Sequence, residues 1–154
     1  MAAGLTAMGN GTLKERMRGE LNEARKQRDK LRTSVLSMTL SELRNREIEL
    51  GREAVDADVL DVVQRAIKRR REAADQMRQG GRADRAELEE QEAGVLGGYL
   101  PPALEEAAVR SLIQRAIAGG ANNIGAVMSA IMPDIKGSFD GREANRIARE
   151  ELGA

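Results

Sequence analysis

The stretch "MSAIMPDIKGSFDG", residues Met128–Gly141, contains an apolar helical pattern followed by a turn. We expect the helix to break at Met132 and Pro133, because proline removes a backbone donor and disfavours the helix interior. Asp140 and Glu143 then have the spacing of a capping box, which predicts a new helix beginning at Asp140. The segment therefore predicts two short helices joined by a turn, and no strand.

The turn itself allows two interpretations. In the structural one, Gly137 and Gly141 provide backbone angles or close approaches that a side chain would block, and Asp140 caps the next helix. In the functional one, the helix start exposes unpaired N–H groups and Lys136 adds a positive charge, which together form an anion site. The first interpretation leaves Lys136 without a structural role, so the functional one stays open.

The helix after the turn extends the positive charge. Arg142, Arg146 and Arg149 fall within roughly 60° of one another on a helical wheel, opposite its apolar face. The same helix also carries carboxylates that can pair with these arginines, namely Glu143, Glu150 and Glu151. The pattern predicts either a basic strip continuing from Lys136 or an ordinary solvated helix face.

Further towards the N-terminus, the chain divides at "YLPP", residues 99–102, since two prolines cannot lie inside a helix. Residues 12–99 read as four longer, charged helices and predict an N-terminal bundle, whereas residues 100–154 predict a compact three-helix module. Residues 1–11 read as a flexible lead-in. The fourth helix, roughly Ala83 to Gly97, offers only three large apolar residues, Leu88, Val95 and Leu96. We therefore expect it to pack most weakly of the four.

One threonine and one aspartate predict helix starts within residues 12–99. "TLKE" at Thr12 has capping-box spacing, and Asp56 is placed to cap the third helix. Several methionines fall on or beside the apolar faces and are expected to fill the core, namely Met17, Met38, Met77, Met128 and Met132.

Composition supports the same fold class. The chain has 154 residues with one tyrosine, one phenylalanine and no tryptophan. A core built from Leu, Ile, Val, Met and Ala suits close-packed helices better than twisted sheets. We therefore predict an all-α protein.

The residues that are missing limit the chemistry. Cysteine and histidine are both absent, which removes Cys/His zinc sites, thiol nucleophiles and imidazole acid–base catalysis. Lysine plus arginine equals aspartate plus glutamate, so any affinity for nucleic acid must be local. No apolar run approaches the roughly 18 residues of a membrane span. We predict a cytoplasmic, non-membrane protein that needs no metal and no cofactor.

The densest positive run is "KRRR", Lys68–Arg71. Four consecutive helical residues point in four directions, so the run does not form one patch, and snorkelling side chains explain it without a ligand. Contact of Lys68 and Arg69 with RNA phosphate is the alternative.

The order "YLP", "GAVMSAIMP" and "KGSFDG" resembles the GatB/YqeY family, and in particular the small stand-alone YqeY-like proteins, over about Leu13 to Leu152. This resemblance implies an all-helical fold whose C-terminal module is related to the tail of the GatB subunit of glutamine-dependent tRNA amidotransferases. Those enzymes are carbon–nitrogen ligases with glutamine as amide donor, and their tail reaches the tRNA while a separate domain performs catalysis. One departure is Ser138-Phe139, where family members often have a basic and then a small residue.

The resemblance and the basic residues together predict a non-catalytic accessory protein that binds tRNA or another structured RNA. The candidate RNA contacts are Lys136, Gly137, Arg142, Arg146, Arg149, Lys68 and Arg69, with Asp140, Gly141 and Glu143 as a structural motif. Two alternatives are a protein-interaction module that docks on a partner such as an amidotransferase, and an amidotransferase activity of the chain's own.

Overall fold

The computed structural model describes residues 12–153, so the predicted lead-in at residues 1–11 lies outside the described part. The described chain is helical without strands, which confirms the all-α prediction. Its helices are α1 (Thr12–Lys26), α2 (Lys30–Leu50), α3 (Asp56–Gln79), α4 (Ala83–Gly97), α5 (Glu106–Ala118), α6 (Ile124–Ile135) and α7 (Gly141–Leu152). None of these described helices is long and apolar enough to cross a membrane.

The chain separates into two compact units, of which the first ends at Leu100 and the second begins at Pro101. In the first unit α1, α2 and α4 pack around the long helix α3 and share one apolar core. The largest side chains that are almost completely buried there are Met17, Val35, Leu36, Leu43, Val59, Leu60, Val63 and Leu96. Met38 does not join them, because it lies 52% exposed on the outer face of α2.

The expectation for α4 was wrong, since α3 and α4 form the most extensive helix pairing of the molecule. Leu88 is 50% exposed, and the buried residues of α4 are instead Ala86, Ala93 and Leu96. Positions 86, 93 and 96 share one helix face, and alanines on that face allow the two helices to approach closely. Counting large apolar side chains underestimated this contact, because small residues bury backbone and partner surface without adding volume.

Asp56 does not cap its own helix as predicted. Val55 is the N-cap of α3, and the Asp58 carboxylate accepts the Val55 N–H at 2.8 Å. Asp56 is buried inside the first turn, and its Oδ1 accepts the N–H of Leu13 at 2.9 Å. This side chain therefore caps α1 from another helix, a long-range contact that local spacing cannot predict.

The second unit consists of α5, α6 and α7, each packed against the other two. Their shared core contains Val109, Ile113, Val127, Ile131, Ile135, Ala144, Ile147 and Ala148. The predicted break at Met132-Pro133 does not occur, because α6 continues to Ile135 with Pro133 inside its last turn. The proline removes only one N–H there, and the helix still closes with a bond from the Lys136 N–H to the Met132 carbonyl at 3.0 Å.

Candidate anion-binding surfaces

The turn between α6 and α7 is held by its own backbone. Gly137 has φ of 79°, the left-handed region that favours glycine. The N–H groups of Ser138 and Phe139 both donate to the Ile135 carbonyl, and the Ser138 carbonyl accepts the Leu104 N–H at 2.8 Å. Phe139 packs against the apolar core of the second unit. These contacts give Gly137, Ser138 and Phe139 structural roles.

The start of α7 is capped, but not by a complete capping box. Asp140 is the N-cap, and its carboxylate accepts the Arg142 N–H at 3.2 Å. Glu143 turns away to accept a hydrogen bond from Arg146 Nε at 2.8 Å. Gly141 is not needed for space, because a Cβ there would lie 3.8 Å from Met132 Cε, an ordinary van der Waals distance. The motif is thus a single cap followed by an ion pair.

Arg146 lies at the centre of a carboxylate network. It hydrogen-bonds Glu143 and Glu150 on its own helix, and its guanidinium approaches Glu106 of α5 at 3.6 Å. The hydrogen bond with Glu143 is the main reason that the pKa of Arg146 is raised and that of Glu143 is lowered. The charge of Arg146 is therefore compensated within the second unit.

Arg110 of α5 completes this network. Its guanidinium contacts Glu106 at 2.9 Å, Glu150 at 3.1 Å and Glu151 at 2.8 Å. These hydrogen bonds, led by that with Glu106, raise the pKa of Arg110. Two of the three carboxylates predicted as partners of the α7 arginines, Glu150 and Glu151, thus contact an arginine on another helix.

Arg142 and Arg149 stand apart from the network. Both are exposed, and among residues 12–153 neither forms an ion pair with a carboxylate. Arg149 Nε donates to Asn145 Oδ1 at 2.9 Å, which orients the side chain and leaves its charge in place. Lys136 is partly buried at the C-cap of α6. The predicted strip therefore divides into compensated and uncompensated positions.

The run at 68–71 is dispersed around α3. Lys68 lies 4.0 Å from Glu72, and Arg69 reaches Glu42 of α2 at 2.5 Å. Arg70 is buried, 3.6 Å from Glu92 of α4. Lys68 and Arg69 are exposed, but each has a carboxylate close by.

Sequence reasoning missed a groove of about 590 Å³ along α1 and α2. The residues that line it are Lys14, Arg18, Leu21, Ser37, Leu40, Ser41, Arg44, Glu47, Ile48, Arg52 and Glu53. Residues three, four and seven apart share a helix face, so Lys14, Arg18 and Leu21 of α1 could have been grouped from the sequence. Their facing partners on α2 could not, because the pairing of the two helices sets them opposite each other.

One end of the groove is fixed by Glu47. Its carboxylate accepts a hydrogen bond from Lys14 Nζ at 2.6 Å and another from the Ala54 N–H at 2.7 Å. The hydrogen bond from Lys14 is the main cause of the lowered pKa of Glu47, and the positive charge of Arg18 adds to it. At the same end, Arg52 contacts Asp58 at 2.7 Å, and this hydrogen bond is the main reason that the pKa of Asp58 is lowered.

Tyr99 of the "YLP" sequence has a structural role in the first unit. The side chain is 3% exposed, its hydroxyl donates to Glu20 of α1, and Arg16 lies over its ring at 4.5 Å from the centroid. Burial, followed by the hydrogen bond to Glu20, raises the pKa of Tyr99. Arg16 also donates to the Gly98 carbonyl at 3.2 Å, so the end of the unit is held on α1.

Comparison with known proteins identifies the family of this chain. The family model described as "Yqey-like protein" matches residues 14–152. An uncharacterized protein of Schizosaccharomyces pombe is 35% identical over 85 residues, which cover 55% of this chain and 69% of the yeast protein. The family match extends over almost the whole chain and includes both the α1–α2 groove and the α6–α7 turn. The chain therefore belongs to the YqeY-like protein family.

Proposed function

We propose that this protein is a non-catalytic accessory protein that binds structured RNA, with tRNA as the leading candidate, through the outer face of α7. The observation that carries the proposal is that Arg142 and Arg149 are exposed there without a carboxylate partner in the described chain. They lie seven residues apart, so they share one face and their Cα atoms are separated by about 10.5 Å along the helix. Two guanidinium groups so placed can contact separate phosphates of one RNA backbone.

The aromatic residues favour recognition of the RNA backbone over recognition of single-stranded bases. Tyr99 is buried against α1, and Phe139 packs on the core of the second unit. No tryptophan is present, so neither unit offers an exposed aromatic platform on which bases can stack. Double-stranded RNA is recognised mainly by its shape, its phosphates and its 2′-hydroxyl groups, which requires no such platform.

The compensated arginines predict a small contact area. Arg146 and Arg110 are together paired with four carboxylates, so we expect them to contribute little to RNA binding. The binding should then depend on few phosphate contacts. Lys136 and Gly137 at the C-cap of α6 remain candidate contacts, as do Lys68 and Arg69 on α3. Few contacts give modest affinity with a shallow dependence on salt.

The test is binding of tRNA at several salt concentrations, measured by mobility shift or filter retention. The Arg142→Ala and Arg149→Ala variants should weaken binding, and each should reduce the slope of log K against log salt by about 1. Arg115→Ala is the matched control, since Arg115 of α5 is another exposed arginine of the same unit that forms no ion pair within the described part of the chain. Equal losses of tRNA affinity in all three variants would mean that only the net charge of the protein matters, which would contradict a site on α7. Absence of binding at low salt would contradict the proposal as a whole.

The family resemblance suggests the setting of this binding. The tRNA of a glutamine-dependent amidotransferase is the proposed ligand, and the amidotransferase itself is a candidate protein partner. The chain is proposed to lack activity of its own, since it has neither the cysteine nor the histidine of common nucleophilic sites. Purified protein that amidates mischarged tRNA with glutamine would overturn this assignment.

A second candidate function is docking on a protein. Met132 of α6 is 42% exposed and lies beside Gly141 at the start of α7, so an apolar side chain is accessible next to the residue that precedes Arg142. Under this alternative, Met132→Lys abolishes capture of an amidotransferase from nuclease-treated extract, whereas Arg142→Ala leaves it unchanged. Capture that requires Arg142 and is lost on nuclease treatment supports RNA binding instead.

A further inference from the structure

The groove along α1 and α2 brings together two arginines that form no ion pair among the described residues. Arg18 of α1 and Arg44 of α2 both line it, both are exposed, and neither forms a hydrogen bond or ion pair within residues 12–153. The other two cations of the lining are occupied, since Lys14 holds Glu47 and Arg52 holds Asp58. Two uncompensated guanidinium groups from different helices are thus available at one concave surface.

Hydroxyl groups add neutral donors to the same surface. Ser37 and Ser41 are four residues apart on α2, and Arg44 follows three residues later, so all three lie on one helix face. In the described chain neither serine side chain forms a hydrogen bond with protein. Hydroxyl and guanidinium donors that converge on one space match an oxyanion with several acceptor oxygens.

The groove also has an apolar part. Leu21 is buried beneath it, Leu40 is partly buried, and Ile48 is 72% exposed. The volume of about 590 Å³ lies within the range of roughly 300–1,000 Å³ typical of small-molecule sites. An inorganic anion would leave this apolar surface in contact with water, whereas an anion with an apolar body would cover it.

One group in the lining opposes an anion. Glu53 lines the groove, and its carboxylate forms no ion pair among the described residues. With Lys14–Glu47 and Arg52–Asp58 taken as neutral pairs, Arg18 and Arg44 against Glu53 leave one net positive charge. The groove therefore attracts an anion, and removal of Glu53 should strengthen that attraction.

We propose that this groove binds a small organic phosphate, with its phosphoryl group between Arg18 and Arg44 and its apolar body on Leu40 and Ile48. The serine hydroxyls of the α2 face donate to the remaining phosphate oxygens. The site lies on α1 and α2, so it neither uses nor requires the α7 arginines of the proposed RNA-binding surface.

The test uses phenyl phosphate as the probe in an NMR titration of the full-length ¹⁵N-labelled protein. Amide signals of α1 and α2 around the groove should shift, with a dissociation constant at least tenfold lower than for inorganic phosphate or for neutral benzyl alcohol. Inorganic phosphate as tight as phenyl phosphate would overturn the apolar half of the proposal, and benzyl alcohol as tight would overturn the anionic half.

Variants assign the contacts. Arg18→Gln and Arg44→Gln should each weaken phenyl phosphate binding at least tenfold, and Glu53→Gln should tighten it. Arg25→Gln is the matched control, because Arg25 of α1 is exposed, does not line the groove and forms no ion pair with any residue from 12 to 153. Losses of the same size in Arg25→Gln, or unchanged binding in both groove variants, would overturn the proposal; tRNA binding by these variants reports separately on α7.

Discussion

In the second unit, Arg110 and Arg146 are each surrounded by three carboxylates, whereas in the groove of the first unit Arg18 and Arg44 form no ion pair within residues 12–153. In the second unit, the basic helix α7 therefore has its central arginine, Arg146, neutralised by neighbouring carboxylates. The groove draws its charge from two helices whose sequences have no obvious basic strip. We therefore expect anion affinity to depend on which cations lack partners, and not on how many cations one helix carries.

Acidification should separate the two units most strongly. In the first unit, hydrogen bonds from Lys14 and Arg52 lower the pKa values of Glu47 and Asp58. Burial acts to raise the pKa of Glu20, but hydrogen bonds from Tyr99 and Arg16 outweigh it, so this pKa is lowered as well. A carboxylate with a lowered folded-state pKa stabilises the fold above its ordinary value of about 4 and loses that contribution as the pH falls through the folded-state value.

Urea unfolding followed by NMR signals of each unit, between pH 7 and pH 3, measures this difference. The first unit should lose stability below about pH 4.5 more steeply than the second, whose pKa-shifted Glu143 and Glu151 act in a solvent-accessible network. Equal loss in both units would contradict the comparison.

Removal of single carboxylates should follow the same order. Glu47→Ala leaves the buried Lys14 and the Ala54 N–H without their acceptor, and we expect a loss of about 3 kcal/mol in the free energy of unfolding. Glu150→Ala is the counterpart in the second unit and should cost less than about 1 kcal/mol, because that network is exposed. Urea denaturation of both variants at pH 7 tests the pair, and a costlier Glu150→Ala would reverse the expected ranking.

The α6–α7 turn offers a smaller contrast. Gly137→Ala places a side chain at φ of 79° and should destabilise the second unit by about 1–2 kcal/mol. Gly141→Ala lies at a helical position with ordinary contacts and should be neutral or stabilise by up to about 1 kcal/mol. Thermal unfolding of the two variants tests whether the backbone conformation of the turn requires glycine at position 137. An unchanged melting temperature in Gly137→Ala would show that it does not.

The smallest effect on stability is expected at Ile48. This side chain is 72% exposed, so Ile48→Gln should change the free energy of unfolding by less than about 0.5 kcal/mol. The same variant should weaken phenyl phosphate binding, because it removes apolar surface from the groove. A large loss of stability would mean that Ile48 belongs to the core and is not free to contact a ligand.

The sequence was informative where structure depends on local pattern. The helical class and the cap at Asp140 follow from residue periodicity and spacing, and both are present. The trans-helical cap by Asp56, the close α3–α4 contact through Ala86 and Ala93, and the pairing of Lys14 with Glu47 depend on tertiary packing. Pro133 was misjudged because a proline near a helix end removes only one hydrogen bond.

The candidate site was limited by the same physics. Arg142, Arg146 and Arg149 could be placed on one face from their spacing, but their compensation is set partly by Glu106 and Arg110 of another helix. The groove was missed because its two halves come from α1 and α2, whose register is not encoded in either helix alone.

The most direct test is to follow the arginine Nε–Hε signals of the labelled protein during titration with phenyl phosphate. If uncompensated charge determines anion binding, the signals of Arg18 and Arg44 shift together with one dissociation constant, while those of Arg110 and Arg146 stay in place. Shifts of Arg110 and Arg146 with none at Arg18 and Arg44 would contradict the account.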